Sequence, residues 1–184
     1  MNVIYKHIIS LAVFISLTVF VFNPIFFENK SIKQHDIEQW SYSANETIEF
    51  RKNNNEEALW SNSMFSGMPA YLIDVKWSNQ IVSFLHKIYS LFFPHPISNF
   101  IISFISFYIM LLCFRIRPEI ALFGSIAFTL SSYMIIGIAA GHNARIGTAA
   151  LLPLIVGGVH LCIHRNRNLG FIITAVALAL QLRL

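Results

Sequence analysis

The apolar residues of this chain fall into long unbroken runs with no alternation of polar and apolar positions, so the elements they predict are membrane helices. The first run, 7–27, holds 21 residues, roughly 31 Å of helix at about 1.5 Å per residue, enough to cross a hydrocarbon core of about 30 Å. Further runs occupy 97–114, 119–140 and 147–163, and a last one covers 169–184. That last run stops inside a span, at about 24 Å of helix, and reads as an incomplete fifth helix in the amino-terminal part of a longer protein. Lys6 precedes the first run and no small-x-small cleavage pattern follows it, which predicts an uncleaved signal anchor.

Between the first and second spans lies a polar segment, 28–96, with eight of the nine acidic residues. Within it, 37–53 predicts a short polar helix, and Asn53-Asn54-Asn55-Glu56-Glu57 a solvated connector. In 80–93, Gln80, Ser83, His86, Lys87 and Ser90 recur at three- and four-residue steps among bulky apolar residues, which predicts an amphipathic interfacial helix ended by Pro94 and Pro96. In the third span, Gly124, Ala127 and Ser131 share a face and Gly137 stands four residues before Gly141, so neighbouring backbones can approach closely. Pro153 is expected to bend the fourth span.

Composition agrees with this pattern: 55% of residues are hydrophobic and 12% charged, where soluble domains are about a quarter charged. The net charge of +4 does not point to nucleic acid, because the basic residues flank hydrophobic spans and form no single face. Placing Lys6, Arg115, Arg117, Arg165 and Arg167 on one side satisfies the positive-inside rule. The amino terminus is then cytoplasmic, and segment 28–96 meets the Gly141-His142-Asn143-Ala144-Arg145 turn outside. Cys113 and Cys162 fall on the cytoplasmic side, where no disulfide is expected, and two thiols make no metal site. The chain has no His-Glu-x-x-His, Cys-x-x-Cys, Gly-x-Ser-x-Gly or phosphate-binding glycine loop, which argues against metalloprotease, serine-hydrolase and nucleotide-driven chemistry.

Three constellations carry candidate chemistry. Asp36, beside His35, Glu38, Gln39 and Trp40, follows the first helix closely enough to act as a general base near the membrane surface, or to be a solvated loop charge. The run Leu59-Trp60-Ser61-Asn62-Ser63-Met64-Phe65-Ser66-Gly67-Met68-Pro69-Ala70-Tyr71 sets aromatic faces among hydroxyl and amide groups around a Gly-Met-Pro turn. Such a run suits a sugar ring, and equally an aromatic interfacial anchor. His142, Asn143 and Arg145 offer an imidazole, an amide and a guanidinium to a phosphate, although Arg145 alone would snorkel and cap.

Taken together, Asp36, the 59–71 run, Pro94-His95-Pro96 and Ala140-Gly141-His142-Asn143-Ala144-Arg145 resemble the bacterial YfhO membrane proteins over nearly the whole chain. That family resembles the GT-C class of membrane glycosyltransferases. The resemblance implies an all-α polytopic bundle, with about five transmembrane helices in this stretch, in a bacterial inner membrane. It implies transfer of a sugar, with inversion, from a polyprenyl-phosphate donor to a cell-envelope glycan acceptor. Carried over, Asp36 is the catalytic acid/base, and Gln39, Trp60, Asn62, Gly67, Met68 and Pro69 shape the sugar or acceptor pocket. His142, Asn143 and Arg145 receive the lipid phosphate. These residues establish no cofactor, and a divalent cation beside the carboxylates is an option in the class. A transporter or flippase of lipid-linked material, or a non-catalytic assembly subunit, are the competing readings.

Overall fold

The computed structural model describes residues 3–74, 84, 87–90 and 93–183. The first apolar run forms α1, Val3–Val21. Pro24 has no amide hydrogen and its ring obstructs a continuing helix, so the chain breaks at Phe22 and restarts as the short α2, Asn23–Phe27. The expected 7–27 span is therefore two helices. The polar segment then gives α3, His35–Ser43, and α4, Asn45–Asn54, where one short helix was expected. Asn55 ends α4 in the left-handed conformation, φ 55°, so Asn53 and Asn54 belong to a helix and not to a connector.

A two-residue hairpin follows, β1 Trp60–Ser61 paired antiparallel with β2 Met68–Pro69, and then a single 3-10 turn, Ala70–Leu72. The amphipathic helix expected over 80–93 lies mostly outside the described residues; Phe84 and 87–90 within it are helical. The membrane part continues with α5, His95–Cys113, α6, Pro118–Thr129, α7, Ser132–Ala140, α8, Asn143–His164, and α9, Arg167–Arg183. Proline stands in the first turn of α2, α5 and α6, where a missing amide hydrogen leaves no helix bond unmade.

Among the described helices three are long and apolar enough to cross a bilayer, and the bent pair α6–α7 makes a fourth if counted as one span. The third span is thus not one straight helix: α6 and α7 meet at 43°. Ser131, at φ −61° and ψ 149°, leaves helical geometry and starts α7, as serine commonly does at helix starts. The break is satisfied internally, since Ser131 N–H donates to the Phe128 carbonyl at 3.1 Å and Ser103 Oγ donates to Thr129 Oγ1 at 3.1 Å. α8 runs through Pro153 as one helix. α9 has 17 residues and is shorter than the long spans.

The core is a ladder of phenylalanines between α1 and α5. Phe14 stacks on Phe104 with centroids 3.7 Å apart, and Phe22 meets Phe100 edge-on at 5.2 Å. Ile97, Met134, Ile138 and Ile146 complete it. Apolar burial drives little association inside lipid, so close dispersion contacts and small residues hold the helices together. A methyl group added at Gly170 of α9 would lie 2.3 Å from the Cys162 nitrogen and 2.6 Å from the Gly158 oxygen of α8.

Two sets of polar contacts fix the helix directions. Asn99 Nδ2 of α5 donates to the Asn143 carbonyl at 3.0 Å, so α5 and α8 begin at the same end. Lys6 of α1 pairs with Glu119 of α6 at 2.5 Å, and His7 meets the Tyr108 hydroxyl at 2.8 Å, at the opposite end. The turns that carry Arg115, Arg117 and Arg165 fall at this second end.

Candidate functional site

The site is built at the end where α5 and α8 begin. α7 closes with Gly141 at φ 100°, a conformation that L side chains rarely adopt. His142 N–H then donates back to the Gly137 carbonyl at 3.0 Å, which turns the chain directly into α8. Gly141 also packs against α3 and the residue before it: an added methyl would sit 3.1 Å from Cβ of Gln34 and 3.3 Å from Cβ of Asp36. Gly137 packs on Ile146 of α8. The two glycines therefore serve different contacts, and the four-residue spacing does not mark one packing stripe.

Gln34 locks the two segments together. Its side chain is 7% exposed; Nε2 donates to the Ile138 carbonyl at 2.6 Å and to Asn143 Oδ1 at 3.2 Å, while Asn143 Nδ2 donates to Gln34 Oε1 at 3.1 Å. The Asn143 carbonyl takes the Asn99 amide, and Asn99 Oδ1 in turn accepts from the Tyr89 hydroxyl. Burial pushes the Tyr89 phenol well above its ordinary pKa, so it stays a donor. This network holds Asn143 by both its backbone and its side chain, and leaves its amide engaged within the protein.

On this frame His142 Nε2 donates to Asp36 Oδ2 at 2.7 Å. The two side chains are 37% and 45% exposed, so solvent can reach both. Asp36 stands in the first turn of α3, and His142 immediately precedes α8, so two helix amino termini add their partial positive charge there. Arg145 lies in the first turn of α8, exposed, with no ionic partner among the described residues. A hollow of about 250 Å³ lies beside it, lined by Tyr133, Ile136, Gly137, His142, Arg145 and Ile146. Its wall is apolar and its rim carries the imidazole and the guanidinium. Gln39 is engaged with its own helix, its Nε2 3.0 Å from His35 Nε2.

The hairpin is a separate assembly organised by Glu46, in the first turn of α4. Ser61 Oγ donates to Glu46 Oε2 at 2.6 Å, the Asn62 amide N–H at 3.0 Å and the Ser63 amide N–H at 2.9 Å. These bonds hold the Glu46 carboxyl down to about 2 from its ordinary 4.5, the Ser61 hydroxyl bond being the largest cause. Phe65 and Ser66 carry positive φ, and Gly67 reaches φ 121° under the Trp60 indole, whose Nε1 would be 2.8 Å from an added methyl. Trp60 pairs across the hairpin with Pro69, and Ser61 with Met68. Trp40 Nε1 donates to the Ile73 carbonyl at 3.1 Å, and Arg51 holds Glu57 at 2.7 Å and Asp74 at 2.8 Å. Those two bonds raise the Arg51 guanidinium above its ordinary pKa, that to Glu57 first.

The structure thus brings Asp36, His142, Asn143 and Arg145 to one place, and gathers Trp60, Asn62, Gly67, Met68 and Pro69 in another. No hydrogen bond joins the two groups directly among the described residues; α3 and α4 connect them. Sequence reasoning overlooked Gln34, Asn99, Tyr89 and Glu46. Asn99 carried a signal, as the lone amide in an apolar span, where an unpaired one would be costly. No group of three or more metal-ligating side chains occurs among the described residues. Comparison of the chain with protein-family models, curated proteins and solved structures finds no match.

Proposed function

We propose that this chain forms the catalytic end of a GT-C-type membrane glycosyltransferase of the YfhO kind, which moves a sugar from a polyprenyl phosphate to a cell-envelope glycan on the outer face of a bacterial inner membrane. The observation that carries the reading is the Asp36–His142 contact of 2.7 Å between two solvent-reachable side chains at the mouth of the bundle. An acid held in place by an imidazole, beside a guanidinium with no ionic partner among the described residues and an apolar hollow, suits a substrate with a hydroxyl, a phosphate and a hydrocarbon tail.

In this mechanism Asp36 takes the proton of the acceptor hydroxyl as that oxygen bonds to the anomeric carbon. The bond from that carbon to the phosphate oxygen breaks with its electron pair, and the configuration inverts. His142 orients the carboxylate. Arg145 and the amino terminus of α8 oppose the charge growing on the leaving phosphate. The hollow along Ile136 and Gly137 receives the first isoprene units, and the Trp60 hairpin lies over the acceptor side.

The bend between α6 and α7 favours a second reading, since transporters use interrupted helices at their binding sites. One experiment separates them. Asp36→Asn, placed in the native gene, is expected to abolish glycan transfer while membrane insertion persists. Transfer at the wild-type rate removes Asp36 from the mechanism. Loss of lipid-linked sugar translocation in vesicles that lack any acceptor supports transport instead.

A further inference from the structure

At the end of the bundle opposite Asp36, two separate turns meet around one hollow. Arg115 lies between α5 and α6 with φ 61°, a region that a residue with a side chain seldom adopts. Arg165 and Asn166 lie between α8 and α9. The cavity between these turns has a volume of about 540 Å³ and is lined by Arg115, Leu161, His164, Arg165, Asn166 and Leu169. Leu161 is buried and provides an apolar floor. Asn166 Oδ1 accepts the Leu169 amide at 3.0 Å, so Asn166 Nδ2 keeps its capacity to donate to a ligand; His164 Nδ1 lies 3.1 Å from the His160 carbonyl.

The charge is unbalanced. The only carboxylate in 93–183 is Glu119, and Lys6 holds it at 2.5 Å. Neither Arg115 nor Arg165 has an ionic partner among the described residues. Positive charge beside a span follows from the positive-inside tendency alone. That tendency does not require two guanidiniums from different turns to line one cavity. An anion between them would meet both charges at once, and a guanidinium fork matches phosphate oxygens in pairs.

We propose that this cavity binds the phosphate of an anionic phospholipid, which bridges the α5–α6 and α8–α9 turns. The cavity offers charge complementarity, an apolar floor for the glycerol end, and a position at the tip of helices long enough to cross a bilayer, where headgroups lie. The proposal requires only that the helices cross a membrane; it does not depend on sugar transfer.

The test uses the full chain in nanodiscs of phosphatidylcholine containing a tenth phosphatidylglycerol or cardiolipin, with lipid retention read by native mass spectrometry. Wild type is expected to retain anionic lipid over phosphatidylcholine. Arg115→Gln with Arg165→Gln should lose that preference, by roughly fivefold per charge removed. Arg115→Lys with Arg165→Lys, which keeps the charge, should retain most of it and guards against a folding defect. Arg117→Gln with Arg167→Gln removes the same charge from the same end outside this cavity and should retain it. Equal loss in both glutamine pairs would replace the site with a diffuse surface attraction. Equal protection of detergent-solubilised protein against heating by millimolar inorganic phosphate, without lipid, would make it an anion site with no lipid specificity. Either result overturns the proposal.

Discussion

Glu46 shows how much one carboxylate organises in this chain. It receives a hydroxyl and two backbone amides from 61–63 and so ties the hairpin to α4. In the unfolded chain its carboxyl titrates near 4.5, and in the folded chain near 2. The folded state therefore binds the proton more weakly, and the contribution is complete above about pH 4.5 and fades as pH falls toward 2. With Trp40 and Trp77 replaced by Phe, Trp60 fluorescence should report loosening of the hairpin across that window. Glu46→Gln should show a loosened hairpin at neutral pH and no further change on acidification. A flat wild-type response would mean the carboxylate does not hold the loop. The residue gave no warning in the sequence, because nothing local distinguishes Glu46 from Glu49 one turn later. What sets it apart is the run of donors about fifteen positions on that happens to fold back over it.

At the scale of elements, the turn between α7 and α8 is the joint on which the candidate site depends. Gly141 provides the left-handed residue that ends α7, and it leaves room for α3 to dock through Gln34 and Asp36. Gly141→Ala should cost on the order of 1–2 kcal/mol for the backbone alone. The added methyl, 3.1 Å from Cβ of Gln34 and 3.3 Å from Cβ of Asp36, would also force these two residues to shift slightly. A lowered melting temperature together with loss of the proposed sugar transfer in the surviving folded fraction is the expected result. A stable variant with full activity would show that the α3 contact is dispensable. The existence of each long helix was legible from uninterrupted hydrophobicity, and the turn at 141–142 from its glycine and polar residues, although 143–145, expected in that loop, form the first turn of α8. The breaks were less so. Pro24 divides the first span and Ser131 the third, while Pro153 sits within a continuous α8. Proline and serine mark where a helix can yield, and packing decides whether it does.

For the whole molecule, the distribution of charge and the contact map agree on two ends. Lys6, Glu119 and the arginines of the α5–α6 and α8–α9 turns occupy one; Asp36, His142 and Arg145 occupy the other. This sidedness was readable from loop arginines, but the pairing of Asp36 with His142 was not, because it joins residues 106 positions apart beside a partly buried Gln34–Asn143 bridge that no local pattern announces. The arrangement makes a direct prediction about the bilayer. Ser31→Cys and Arg145→Cys, each in a background with Cys113 and Cys162 replaced by Ser, should react with a membrane-impermeant maleimide added to intact spheroplasts. Arg117→Cys should react only after the membrane is opened. Labelling of 31 and 145 from opposite sides would separate the acid from the guanidinium and leave no single substrate that both could hold. Labelling of 117 from outside would invert the protein and move the arginine-lined cavity to the outer leaflet, where its lipid partner would have to be sought.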